Sequence, residues 1–125
     1  MSTIKVTTIQ DTSGGNSSTS EEIAQGRAKA WVNFNGQGTI AIRDSFNVSS
    51  ITDNGTGDYT LNFTNNMSSA NYVLCMSGST NNSYTRAGTQ TASNLTTSTA
   101  RVYIANSGGS SADREYCAVA IFGDN

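Results

Sequence analysis

An all-β fold, an antiparallel β-sandwich of about eight strands with a jelly-roll-like character, follows from three observations on the 125-residue sequence. Apolar residues fall in short alternating runs, Gly- and Asn-rich turns separate those runs, and no long helical period interrupts them. Ser, Thr and Asn number 18, 17 and 14 against 13% charged residues and no proline, which describes a folded domain with a neutral polar surface rather than a disordered chain.

The chain divides into an N-terminal docking arm with a short helical turn, residues 1–26, and a sandwich head, residues 27–125. In the arm, I-K-V-T-T-I at 4 to 9 is β-prone, and D-T-S-G-G-N-S-S at 11 to 18 reads as a flexible polar linker. Ser18 with Glu21, or Thr19 with Glu22, has capping-box spacing, and Gly26 can stop a helix, so a helical turn is predicted over 21 to 25.

Eight strand-like runs follow at 28–34, 39–43, 45–51, 59–64, 71–77, 84–91, 96–105 and 115–122. The fourth alternates most cleanly, with Tyr59, Leu61 and Phe63 on one face and Thr60, Asn62 and Thr64 on the other, after the turn D-N-G-T-G-D. Val102 and Ile104 point inward by the same rule. The last run is apolar on both faces and belongs in a central position or at a second interface. Antiparallel succession then puts loops 35–38, 53–58, 78–83 and 106–114 at one distal end, opposite the arm, where recognition by loops on a rigid scaffold is expected.

Much chemistry is excluded. There is no histidine, and the two cysteines, Cys75 and Cys117, read as buried thiols rather than a zinc site. A net charge of -2 with seven scattered Lys and Arg offers no stripe for nucleic acid. The longest apolar run is far short of a spanning helix and the polar start lacks the features of a signal peptide, so a soluble chain made in the cytoplasm, without membrane insertion, is expected. Asp53 and Asp58 bracket a turn without the oxygen-ligand ladder of a calcium loop, and the glycines at 36 to 38 and 55 to 57 are turn residues rather than phosphate cradles. No cofactor, no metal and no catalytic residue is predicted. Asp53, Asp58 and Asp113 keep a polysaccharide-degrading activity as a remote third reading.

Tyr59 and Tyr103 read as packing residues, whereas Tyr84 borders the distal loop that carries Asn81 and Asn82, an aromatic face beside bidentate amides that suits a sugar. Trp31 poses a separate question. In a strand where Ala28, Ala30, Val32 and Phe34 face the core, Lys29, Trp31 and Asn33 face away from it. Either the arm covers the indole or other copies of the chain do. The second is favoured because a small sandwich gains burial by association, with Ile23, Lys29, Trp31 and Asn33 as the interface. Burying about 200 Å² of indole contributes on the order of several kcal/mol before costs.

The stretch G-R-A-K-A-W-V-N-F-N-G-Q-G-T-I-A-I-R-D-S-F-N-V-S-S-I-T-D-N-G-T-G-D-Y-T-L-N-F-T, residues 26 to 64, resembles a recurring domain in structural proteins of tailed phages, particularly marine and cyanobacterial ones, that commonly ends tail fibres and other virion appendages. The upstream I-K-V-T-T-I-Q-D-T-S-G-G and the terminal A-V-A-I-F-G-D resemble the same family, whereas residues 78 to 114 match only in general character. The resemblance implies a non-enzymatic homotrimeric virion component, assembled in the host cytoplasm. With only about 25 residues ahead of the head, the chain is expected to dock by its own arm onto another virion protein of the tail, baseplate or capsid, through Ile4, Val6 and Ile9 by β-addition. Receptor binding, with a host-surface polysaccharide as partner, is assigned to Asn54, Asn81, Asn82, Tyr84, Asp113 and Arg114. The alternative is a capsid decoration protein held by the arm.

Overall fold

The computed structural model of the chain describes residues 1–79, 85–88 and 94–123, with 85–88 described by backbone alone. The arm contains β1 (Thr8–Ile9) paired antiparallel with β2 (Ser18–Thr19), followed by α1 (Ser20–Gly26). Thr19 is the cap: its hydroxyl accepts from the Glu22 backbone N–H at 3.1 Å while the Glu22 carboxylate accepts from the Thr19 backbone N–H at 2.7 Å. The expected flexible linker is instead an ordered turn. The Asp11 carboxylate accepts from the backbone N–H groups of Ser13 at 3.0 Å and Gly15 at 2.8 Å and from the Asn16 amide at 3.1 Å, an Asx arrangement that closes the hairpin. Sheet pairing in the run from 4 to 9 is confined to its last two residues, and Ile4 and Val6 lie outside it.

The head comprises β3 (Ala30–Asn35), β4 (Ala41–Phe46), β5 (Val48–Gly55), β6 (Asp58–Phe63), β7 (Val73–Ser79), β8 (Thr85–Gly88), β9 (Thr99–Asn106) and β10 (Tyr116–Phe122). All eight overlap predicted runs, with ends moved by no more than four residues where the flanking chain is described. The strands form two antiparallel four-stranded sheets, in the orders β4-β3-β10-β7 and β5-β6-β9-β8. The fold is thus an all-β antiparallel sandwich. β10, apolar on both faces, sits centrally between β3 and β7, as its pattern requires.

Alternation decides what lies between the sheets. Ala30, Val32 and Phe34 of β3 and Cys117, Val119 and Ile121 of β10 meet Tyr59, Leu61 and Phe63 of β6 and Ala100, Val102 and Ile104 of β9. Phe34 and Tyr59 pack edge-on across the sheets at 5.2 Å, and Phe63 packs against Tyr72 in the same manner at 5.9 Å. Cys117 is buried with them, where burial pushes its thiol up to about 11. Cys75 corrects the expectation of two buried thiols: its register on β7 places it with Val73 on the outer face, and it is exposed.

The chain changes sheet between β4 and β5 at Asn47, which adopts φ +56°, a left-handed conformation that asparagine tolerates better than most residues. Its amide donates to the carbonyls of Lys29 and Asn65, and its side-chain oxygen accepts from the Asn65 N–H at 2.7 Å. These bonds gather the arm end of the sandwich. At the other end, the Gly36 N–H donates to the Arg114 carbonyl at 2.8 Å and the Ile104 N–H to the Gly57 carbonyl at 2.7 Å, so loops 35–38, 53–58 and 106–114 meet there, while most of the predicted distal loop 78–83 lies outside the described residues.

Candidate functional site

Two surfaces of the head carry the candidate residues, the distal loops and the outer face of the β4-β3-β10-β7 sheet. The distal end is built on Tyr59. Its ring is wholly buried in β6, yet its hydroxyl reaches the loop layer, 2.6 Å from the Gly36 carbonyl and 2.8 Å from the Asp113 carboxylate. The same Asp113 oxygen accepts from the Gly57 N–H at 2.7 Å. Burial, reinforced by the neighbouring carboxylate, pushes the Tyr59 phenol far above its ordinary range, so it stays a donor at any physiological pH. Loops leaving β3, β5 and β9 are thereby tied to a single buried hydroxyl.

This geometry reassigns part of the predicted recognition set. Asp113 is half-buried and engaged as an acceptor, and Arg114 is buried with its carbonyl accepting from Gly36 and from the Cys117 thiol. Both brace the loops from below instead of projecting from them. The Arg114 Nε is buried without a hydrogen-bond partner among the described residues. Asn54 is exposed, and its amide donates to Thr60 Oγ1 at 2.8 Å and to Asp58 Oδ1 at 3.2 Å. Asn81, Asn82 and Tyr84 lie outside the described residues.

The acids of the distal turn are likewise engaged. Asp58 forms a bidentate pair with Arg101, Nε to Oδ1 at 2.9 Å and Nη2 to Oδ2 at 2.6 Å, and the guanidinium holds its carboxyl below the ordinary value. Asp53 accepts from the Gly55 N–H, as a turn residue does. Among the described residues no group of three or more His, Cys, Asp or Glu is placed to hold a metal.

Trp31 lies half-buried on the outer sheet face. Register aligns Phe46, Trp31, Ala120 and Cys75 in one row across all four strands, with Val73 and Phe122 paired beside it. Phe46 and Val73 are 54% and 61% exposed, and the row of Phe46, Trp31, Ala120 and Cys75 carries no charge. The small side chains of Ala118 and Ala120 leave a groove of about 400 Å³ between Trp31 of β3 and Cys75 of β7. At its rim Arg43 sits 4.7 Å over the Tyr116 ring, donates to Asn33 Oδ1 at 3.2 Å and to the Glu115 carbonyl at 2.7 Å.

Of the four predicted interface residues, Trp31 and Asn33 lie on this face. Lys29 is 6% exposed within its own chain, so little of it is left for a neighbour to cover. Ile23 is carried on α1 and is exposed, outside the residues that line the groove. Sequence reasoning missed Phe46, Val73 and Cys75 as partners of Trp31. Their parity was readable, but which strands flank β3 was not. Ile4, Val6 and Ile9 are exposed along the arm.

No protein-family model, curated protein or solved structure matches the chain. No helix among the described residues is long and apolar enough to cross a membrane.

Proposed function

We propose that the chain is a non-enzymatic structural subunit of a tailed-phage virion, a short tail-fibre or appendage head that associates as a homotrimer and meets the host surface with its distal loops. The uncharged row Phe46, Trp31, Ala120 and Cys75 carries the reading, because a flat apolar sheet face on a small domain is stabilised when a second copy covers it. The three-fold state comes from the resemblance of residues 26 to 64 to appendage domains. Recognition at the distal end is supported by loops held on the Tyr59 and Asp113 bonds, a braced platform beside which Asn54 is exposed.

Sedimentation equilibrium tests the association: a species of three times 13.1 kDa is expected, and Trp31→Glu should yield single chains with an unchanged β-type circular dichroism spectrum. A wild-type protein that stays single at micromolar concentration overturns it. Host contact is tested by competition, in which the purified protein slows phage adsorption and substitution of Asn81, Asn82 and Tyr84 by Ala removes that effect.

The exposed Ile4, Val6 and Ile9 favour a second reading, a capsid decoration protein held by its arm. Copy number per virion separates the two, a few dozen or fewer for an appendage and hundreds for decoration.

A further inference from the structure

The arm end of the sandwich, opposite the distal loops, holds a pocket of about 430 Å³. Three separate segments build it: Arg27 and Lys29 ahead of β3, Phe46 at the end of β4, and Thr64, Asn65 and Asn66 after β6. Asn47 spends its own amide on the Lys29 and Asn65 backbones and so fixes the walls.

What the walls present is unspent. The Lys29 stem is packed into the wall, with the residue 6% exposed, while its ammonium stays open to solvent in the pocket with no hydrogen bond or ion pair among the described residues. Arg27 is exposed at the mouth, also without an acidic partner among the described residues, and no carboxylate lines the pocket. The amides of Asn65 and Asn66 and the hydroxyl of Thr64 make no side-chain hydrogen bond among the described residues, and the Phe46 ring is more than half exposed. Two cations with no counter-charge among the described residues make the pocket electropositive, and an anion there can pair with both.

We propose that this pocket binds a carboxylate-bearing saccharide. Its carboxylate pairs with Lys29 and Arg27, its hydroxyls exchange hydrogen bonds with Asn65, Asn66 and Thr64, and the apolar face of the sugar ring lies on Phe46. An inorganic anion would use the two cations and leave the ring, the amides and most of the volume idle. Nucleic acid would need a run of cations, and only two converge here. The site is independent of the distal loops, and it shares Phe46 with the outer face, so sugar binding and association through that face are measured separately.

Titration of the full ¹⁵N-labelled chain with sodium D-glucuronate, D-glucose and inorganic phosphate, followed by amide chemical shifts, tests this. Glucuronate should move the amides around residues 27–29, 46–47 and 64–66 and saturate, with glucose at least about tenfold weaker. Lys29→Gln should weaken glucuronate about tenfold or more, and the exposed Asn66→Ala, which leaves the walls intact, should weaken it several-fold. Equal binding of glucose and glucuronate, or phosphate reproducing the full glucuronate pattern, overturns the proposal. Sedimentation of the same samples keeps this result separate from the state of association.

Discussion

The Tyr59 hydroxyl lies 2.8 Å from the Asp113 carboxylate, joining the core of one sheet to the loop that enters the last strand of the other. Because the ring is wholly buried and the Gly36 carbonyl stands 2.6 Å away, the phenol proton is shared by two acceptors that water cannot fully replace. Tyr59→Phe should therefore destabilise the head by about 1 to 3 kcal/mol while leaving its strand content unchanged. Urea denaturation followed by circular dichroism reads this out, and a loss under about 0.5 kcal/mol would show that the bond does not brace the loops.

Gly57 is held more tightly still. Its φ of +67° disfavours any side chain, and a Cβ there would run into the Ile104 carbonyl and stand 2.7 Å from the Ala112 N–H. Backbone rather than a movable side chain would have to yield. Gly57→Ala should cost more than about 2 kcal/mol, seen as a lowered denaturation midpoint, whereas Gly38→Ala, at similar φ in open space, should cost only about 1 to 2 kcal/mol.

The Asp58 and Arg101 pair predicts an acid limb. Asp58 titrates below its reference value of 3.8 in the folded state, with the Arg101 hydrogen bonds as the largest cause. A carboxyl depressed by folding adds stability above its unfolded pKa and loses it as pH falls through the folded one. The difference in midpoint between wild type and Asp58→Asn should thus be constant near neutrality and shrink as pH drops below about 3.8. A difference that persists at pH of about 2 would remove charge from the explanation.

The two thiols should react at different rates. Cys75 is exposed on the outer sheet face, whereas burial pushes the Cys117 thiol up to about 11. A maleimide should label Cys75 in the native protein and Cys117 only after unfolding. If copies associate through the Trp31 face, Cys75 labelling should also slow as protein concentration rises and become concentration-independent in Trp31→Glu. Labelling that ignores concentration in the wild type would place association elsewhere.

The sandwich was legible because its alternation is local. Tyr59, Leu61 and Phe63 announce β6 within six residues, and strand parity alone put loops 35–38, 53–58 and 106–114 at one end. Long-range pairing was not legible. Nothing near Trp31 states that Phe46 and Ala120 flank it, nor that Cys75 follows, since register across strands is a tertiary outcome. Arg114 looked like a loop cation and is buried, because the loops close over it. The arm turn failed differently, as the Gly and Ser around Asp11 suggested freedom while its carboxylate collects their N–H groups. The arm-end pocket escaped notice because residues 27–29, 46–47 and 64–66 are unremarkable singly and meet only through Asn47.

β3 follows directly from the arm and is hydrogen-bonded along both sides, to β4 and to β10. In an antiparallel ladder those bonds lie across the strand, so a pull along it strains them together and none can unzip before the rest. A head tugged by its arm while its far tips are held would meet that force in shear, the direction in which a sheet yields last.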